Sequence, residues 1–138
     1  MKIIIEDYNP TWHEKFLSEK QKILGILEHF TPAIEHIGST GIKDLRAKPV
    51  IDIMVGLKNK DDLDLVVSPM VLAGYTYFKI YEDKLPERRL LVKLKSHRGV
   101  KVPDVIGIVK EYIAGKNDFI KETEKQALVW HQIYEGEL

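Results

Sequence analysis

The stretch EHIGSTGIKDLRAKPVIDIMVG, residues 35–56, sets Gly38-Ser39-Thr40 directly behind a short apolar-leaning segment and then buries a lone aspartate in an apolar run. A carboxylate inside Val50-Ile51-Asp52-Ile53-Met54-Val55 would cost several kcal/mol if it were desolvated without a partner. Asp52 is therefore expected to be paired, to hold a ligand, or to line a pocket. Read as a strand, the run puts Val50, Asp52 and Met54 on one face and Ile51, Ile53 and Val55 on the other. The preceding AIEHIG reads as a second extended segment, with Ile34, His36 and Gly38 on one face and Glu35 and Ile37 on the other.

Working outward, KIIIE near the N-terminus reads as a short strand. Asn9 and Pro10 then open a helix that should run to about residue 30, with Phe16, Leu17, Ile23, Leu24, Leu27 and the stem of Lys20 on its apolar face. Asn59 is expected to cap a further helix through Asp62, Leu63, Val66 and Val67. Pro69 suggests a kink or break in it, and Gly74 a stop. YTYFKIY and RRLLVKLK are β-rich runs separated by the turn-like EDKLPE, which predicts a hairpin. Residues 102–134 read as helical in period, broken at Gly115, with Asn117 capping the last helix. No repeat or long linker divides the chain. The expectation is one α+β (or α/β) domain over residues 1–138, with a mixed sheet of four or five strands and flanking helices.

With 138 residues the chain is long enough to bury a core of its own. Lys+Arg and Asp+Glu are both 21, so the formal charge is zero and no global field draws nucleic acid or anionic membrane. There is no cysteine, hence no disulfide framework and no thiolate metal site. The first residues turn acidic too early for a signal peptide, and no apolar run reaches membrane-spanning length. These features point to a soluble cytoplasmic protein without general nucleic-acid or membrane binding.

The opening stretch has a chemistry of its own. A strand that ends in Gly38-Ser39-Thr40 lets backbone approach a ligand closely and offers N–H and hydroxyl donors of the kind that hold phosphate oxygens. Asp52 on the adjacent strand can hold Mg²⁺, which keeps several waters and takes one or two protein carboxylates. The alternatives are an ordinary Gly-Ser loop, and an Asp52 that sits on an exposed edge or pairs with Lys48 or Arg46. His36 can serve as a base near neutral pH or be a satisfied structural histidine. Lys48 can neutralise phosphate or a carboxylate, or be a solvated loop lysine. Arg88, Arg89, Lys93 and Lys95 form a basic run in which Arg89, Leu91, Lys93 and Lys95 share a face. That face can clamp phosphate, or it can be the solvent side or guarded edge of a sheet. Trp12, Phe16, Tyr75, Tyr77, Phe78, Tyr81 and Trp130 read mainly as core. No Ser-His-Asp order, metal-binding helical His pair or Walker-type Gly-Lys-Ser occurs.

IEHIGSTGIKDLRAKPVIDIMV, with the upstream YNPTWHEKF and the downstream Gly74-Tyr75, resembles the GrpB family over residues 3–75. That family is similar to the nucleotidyltransferase superfamily of DNA polymerase beta, in which a Gly-Ser motif binds triphosphate and carboxylates on the next strand bind metal. The resemblance implies a nucleotidyltransferase-like fold, Gly38, Ser39 and Thr40 at phosphate, Asp52 at Mg²⁺ or Mn²⁺, and a nucleotide or other phosphorylated small molecule as ligand. The expected activity is nucleotidyl transfer to a hydroxyl or amine, with Lys93 or Arg89 offsetting charge on leaving pyrophosphate. The sequence departs from that pattern where a second carboxylate is usual, because Met54 stands two residues after Asp52 and a thioether is a poor Mg²⁺ ligand. It also has only His97 where a His-rich segment is common, with Asp104 and Glu82 as candidate replacement carboxylates. A non-catalytic nucleotide-binding or protein-interaction module is the alternative.

Overall fold

Seven consecutive residues of β2 (Ile51–Leu57) are buried, so this strand has a neighbour on both edges and a layer on both faces. The computed structural model of the protein describes residues 5–112. It surrounds β2 with β1 (Ala33–Ile37), β3 (Thr76–Tyr77), β4 (Arg88–His97) and β5 (Val100–Glu111), in the sheet order β1-β2-β5-β4-β3. The sheet is mixed: β1 runs antiparallel to β2, β2 parallel to β5, and β4 antiparallel to both β5 and β3. The mixed α+β architecture with five strands is thus the one expected from the sequence.

One face of the sheet is covered by α1 (Thr11–Ile26) and α2 (Val67–Leu72). Trp12, Phe16, Ile23 and Leu27 pack there with Met70, and with Ile34, Ile51, Ile53, Val55, Leu91, Val105 and Val109 of the strands. The other face collects Ile37, Val50, Met54, Leu90, Val92, Ile106 and Ile108, with Tyr81 over them. A strand such as β2 that feeds both layers must be apolar on both sides, which is why its pattern is continuous rather than alternating.

Several boundaries differ from the sequence reading. The helix of α1 ends at Ile26, and a 3₁₀ turn (Glu28–Phe30) completes the segment, because Pro32 cannot continue a helix. Its buried stripe is Trp12, Phe16, Glu19 and Ile23, whereas Leu17 is 43% exposed. Asn59 does cap, accepting from Asp61 N–H at 3.0 Å, but what it caps is a 3₁₀ turn (Lys60–Asp62). Pro69 does not break α2; it lies in the first turn, where its missing N–H has no helical partner to lose. The expected hairpin of two β-rich runs is reduced to a two-residue β3 against β4, with a 3₁₀ turn (Lys79–Asp83) between them.

The largest correction concerns residues 102–111, read as the start of a helical tail and found in the longest strand among the described residues, β5. Here Val102, Val105, Ile106, Ile108 and Val109 are all buried, and an apolar run buried on two faces has no period that separates strand from helix. The β-branched content favours the strand. A tight turn at Arg98 and Gly99 joins β4 to β5, both residues having positive φ, 52° and 81°. That is the backbone a two-residue hairpin requires. Pro103, which has no N–H to give, lies at the register shift between Lys93 and Leu94, where Asp104 is the extra residue on β5. Of the N-terminal strand, Glu6 forms an isolated bridge with Ala47. Residues 1–4, Gly115, Asn117, Trp130 and the helix expected after Asn117 lie outside the described residues. No helix among the described residues is long and apolar enough to cross a membrane.

The hairpin turn yields a direct check. Gly99→Ala should lower unfolding stability by about 1 kcal/mol, because it places a Cβ at positive φ. Arg98→Asn should raise it slightly, since Asn tolerates that conformation better. Urea midpoints of the two variants measure both effects.

Candidate functional site

The chain leaves β1 at Gly38, whose φ of 73° and ψ of −174° turn it over the neighbouring strand. A Cβ built at Gly38 would lie 2.4 Å from Asp52 Oδ2 and 3.1 Å from Asp52 Cβ and Cγ. The backbone of Gly38 therefore rests directly against the Asp52 carboxylate, and only glycine permits both the dihedral and the approach. Ser39–Gly41 then forms a 3₁₀ turn, with Gly41 N–H donating to Gly38 O and Ile42 N–H to Ser39 O, each at 3.2 Å.

The turn is held from below. Thr40 is buried, and its hydroxyl donates to Val50 O at 3.1 Å while lying 3.0 Å from His36 Nε2. Because the single hydroxyl proton goes to Val50 O, His36 Nε2 must carry the proton it gives to Thr40 Oγ1. His36 stacks on Phe16 with ring centroids 4.7 Å apart. Burial, followed by the charge of His13, pushes its pKa down to about 4, so the ring is neutral at pH 7. In this geometry His36 acts as a latch on Thr40.

The faces of the sheet sort the remaining candidates. Asp52 pairs with Ile37 and Ile106, and shares its face with Val50 and Met54. His36 pairs with Ile53 and points to the α1 face, so it is not beside the Asp52 carboxylate. Arg89 and Lys93 pair with Val109 and Val105, which also belong to the α1 face. The structure does not bring Arg89 or Lys93 together with Gly38 and Asp52. Arg89 instead donates to Asp64 Oδ1 from Nε at 2.9 Å and to Pro86 O from Nη1 at 2.8 Å. Its Nε also lies 3.1 Å from Glu82 Oε1.

Lys93 Nζ reaches both Glu19 carboxylate oxygens at 3.1 Å. Lys95 pairs with Asp104 at 3.5 Å, and Asp104 is also held by Lys15. Lys93 and Lys95 lie on the part of β4 beyond its pairing with β3, and each is engaged by a carboxylate there. Lys48 precedes Pro49, and its carbonyl accepts from Val50 N–H at 2.7 Å, so it marks the entry to β2. Arg46 is taken by Asp7 at 3.0 Å.

As a metal site, the Gly38–Asp52 corner offers one protein carboxylate. Met54, where a second would stand, is 1% exposed. No group of three or more His, Cys, Asp and Glu that could hold a metal occurs among the described residues. The donor set suits a single hard cation that keeps most of its shell as water or ligand oxygen, and does not suit a pair of cations.

Sequence reasoning overlooked a second polar cluster. Glu19 is buried in the apolar stripe of α1, and Tyr75 Oη donates to its Oε2 at 2.7 Å. Burial pushes the Glu19 carboxyl up, but hydrogen bonds from Tyr75 and Lys93 and the charges of Lys93 and Lys22 more than offset this, and its pKa is lowered overall. The spacing of Trp12, Phe16, Glu19 and Ile23 was the available signal: a carboxylate in an apolar stripe needs a partner as much as Asp52 does.

Comparison with known proteins adds lineage to this geometry. The family model described as GrpB protein matches residues 2–106. UPF0157 protein YqkA of Bacillus subtilis is 29% identical, over 94% of this chain and 48% of that protein. A 70-residue segment, 49% of this chain, is 33% identical to part of a protein named dephospho-CoA kinase from Mycobacterium tuberculosis, where it covers 17% of the length. The crystal structure of the conserved protein GrpB from Enterococcus faecalis aligns with a TM-score of 0.66 at 24% identity, over 94% of this chain and 99% of that one. That likeness is one of fold. The chain spans about half the length of the curated relatives it matches.

Two outcomes follow from the corner and its latch. Gly38→Ala should cost about 2 kcal/mol or more in unfolding stability, combining an unfavourable φ with displacement of the Asp52 carboxylate. For His36, the folded state resists protonation that the unfolded state accepts. Its stabilising share is therefore complete above pH 6.5 and lost as pH falls toward 4. A His36→Phe variant, which keeps the stack on Phe16, should show a shallower fall in melting temperature over that window than the parent protein.

Proposed function

The chain belongs to the GrpB protein family, and from that premise we propose that it is a nucleotide-binding domain of nucleotidyltransferase-like fold. Gly38, Ser39 and Thr40 meet the phosphate oxygens and Asp52 takes one Mg²⁺ or Mn²⁺ beside them. The observation that carries this reading is the contact of the bare Gly38 backbone with the Asp52 carboxylate, 2.4 Å from where a Cβ would be. A phosphate donor surface and a hard anionic ligand for a cation are thereby joined in one corner. When bound, the cation supplies neutralisation of phosphate charge. The protein's own share is to orient the Ser39–Thr40 turn, which His36 and Val50 O hold through the Thr40 hydroxyl.

Transfer of the nucleotidyl group to a hydroxyl or amine asks for more than this corner contains. It calls for a second hard ligand where Met54 is, and for cations near the leaving pyrophosphate, whereas Arg89 and Lys93 are committed to carboxylates on the opposite face. Binding without transfer is accordingly the form of the proposal we favour. The segment similar to part of a protein named dephospho-CoA kinase supports a phosphate-bearing ligand class. The cytoplasm, with its supply of nucleoside triphosphates and Mg²⁺, is the setting such a domain needs.

Calorimetric titration of ATP, GTP, CTP and UTP, with and without Mg²⁺ or Mn²⁺, tests the reading in the parent protein and in Asp52→Asn. Metal-dependent heat that disappears in the variant is the expected result. Absence of heat with all four nucleotides, or binding unchanged in Asp52→Asn, would overturn it. Metal-dependent incorporation of labelled nucleotide into an acceptor would restore the transfer reaction.

A further inference from the structure

A cavity of about 380 Å³ opens on the α1 face, lined by Lys22, Gly25, Ile26, Ala73, Tyr75 and Lys93. Its size is at the small end of the range for ligand pockets. It is separate from the Gly38–Asp52 corner, since Lys93 and Asp52 point to opposite faces of the sheet.

Among the described residues the charge at its edge is unbalanced. Lys22 and Lys93 both approach Glu19, at 3.3 Å and 3.1 Å, so two ammonium groups share one carboxylate there. Glu19 cannot turn toward the cavity, because Tyr75 Oη also fixes it at 2.7 Å. The Lys22 ammonium can turn, its side chain being 59% exposed against 6% for Glu19, whereas Lys93, 22% exposed, stays on Glu19 and has a further N–H to offer at the cavity wall. The rest of the lining is the Tyr75 ring, Ile26, Ala73 and the bare backbone of Gly25. Lys93 Nζ lies 5.0 Å from the Tyr75 ring centroid, at the border between the charged and apolar parts.

Gly25 is the second observation. It lies in the last turn of α1, one residue before its end, and its backbone forms part of the cavity wall. No steric demand accounts for it, because a Cβ there would meet nothing within 4 Å. A larger side chain at this point of the wall would extend into open space at the cavity.

We propose that this cavity binds a small organic anion, an anionic oxygen group on an apolar body, with the anionic group between Lys22 and Lys93 and the body against Tyr75, Ile26 and Ala73. The shared recognition chemistry covers a carboxylate and a phosphate monoester.

Amide NMR titration with benzoate, phenyl phosphate and neutral benzyl alcohol tests it. Shifts at Gly25, Ala73 and Lys93 with either anion but not with the alcohol are the expected result, and whichever anion binds more tightly identifies the source. Gly25→Leu, which fills the cavity, should abolish the shifts. Lys22→Ala, at a largely exposed position, should weaken binding by about two- to five-fold without altering the fold. No shift with either anion at millimolar concentration, an equal response to the alcohol, or full binding in a folded Gly25→Leu or Lys22→Ala protein would overturn the proposal.

Discussion

The burial of β2 on both faces governs how polar groups are distributed in this domain. Ile51, Ile53, Val55 and Leu57 face the helices, while Asp52 and Met54 face the second layer, and none of the seven residues is exposed. In such a strand a carboxylate is tolerated only at an end, where another element comes to it. Asp52 sits one residue from the start of β2, and the element that comes is the Gly38 turn leaving β1. The antiparallel β1–β2 pairing sets this up, because it matches Ile37 with Asp52 and leaves Gly38 just beyond the register. A side chain at position 38 would separate the two. The candidate site thus depends on one absent Cβ and one register.

The same rule operates on the opposite face at Glu19, with a different solution. There the carboxylate is satisfied by Tyr75, Lys93 and Lys22, side chains that arrive from the segment before β3, from β4, and from α1 itself. A hydrogen bond from a buried phenol to a carboxylate contributes about 1.5–3 kcal/mol, whereas the exposed Lys22 contributes little. Glu19 therefore ties α1 to the sheet mainly through Tyr75 and Lys93. Arg89 with Asp64 and Glu82 performs a comparable task at the other end of β4. Along β4, Arg89 thus holds two carboxylates, Asp64 and Glu82, while Lys93 and Lys95 hold one each, Glu19 and Asp104.

How much of this the sequence reveals depends on the range of the interaction responsible. The β1–β2 pair was legible because its period, its glycine and its aspartate all lie within about twenty consecutive residues. The position of Asp52 opposite an aliphatic face was legible for the same reason. β5 was not, since a run buried on both faces loses the alternation that identifies a strand, and only the Arg98-Gly99 turn before it marks the hairpin. The sorting of Arg89 and Lys93 away from Asp52 was also hidden. It follows from the parity of their register with β5, and from acidic partners as far as 74 residues away along the chain. Leu17 and Glu19 exchanged roles for that reason: hydropathy favours burying leucine, but two long-range partners favour burying the glutamate.

The two faces are not independent. Thr40 belongs to the turn above Asp52, yet its hydroxyl is shared between Val50 O at the entry to β2 and His36 Nε2, whose ring stacks on Phe16 of α1. Any displacement of α1 relative to the sheet moves Phe16, and with it the ring that supplies Thr40 with its second hydrogen bond. The role asks only that His36 carry a proton on Nε2, and at pH 7, with its pKa pushed down by burial, the neutral Nε2–H tautomer supplies it. The helix layer therefore reaches the Gly38–Asp52 corner through three side chains, Phe16, His36 and Thr40, with His36 the middle member of that chain.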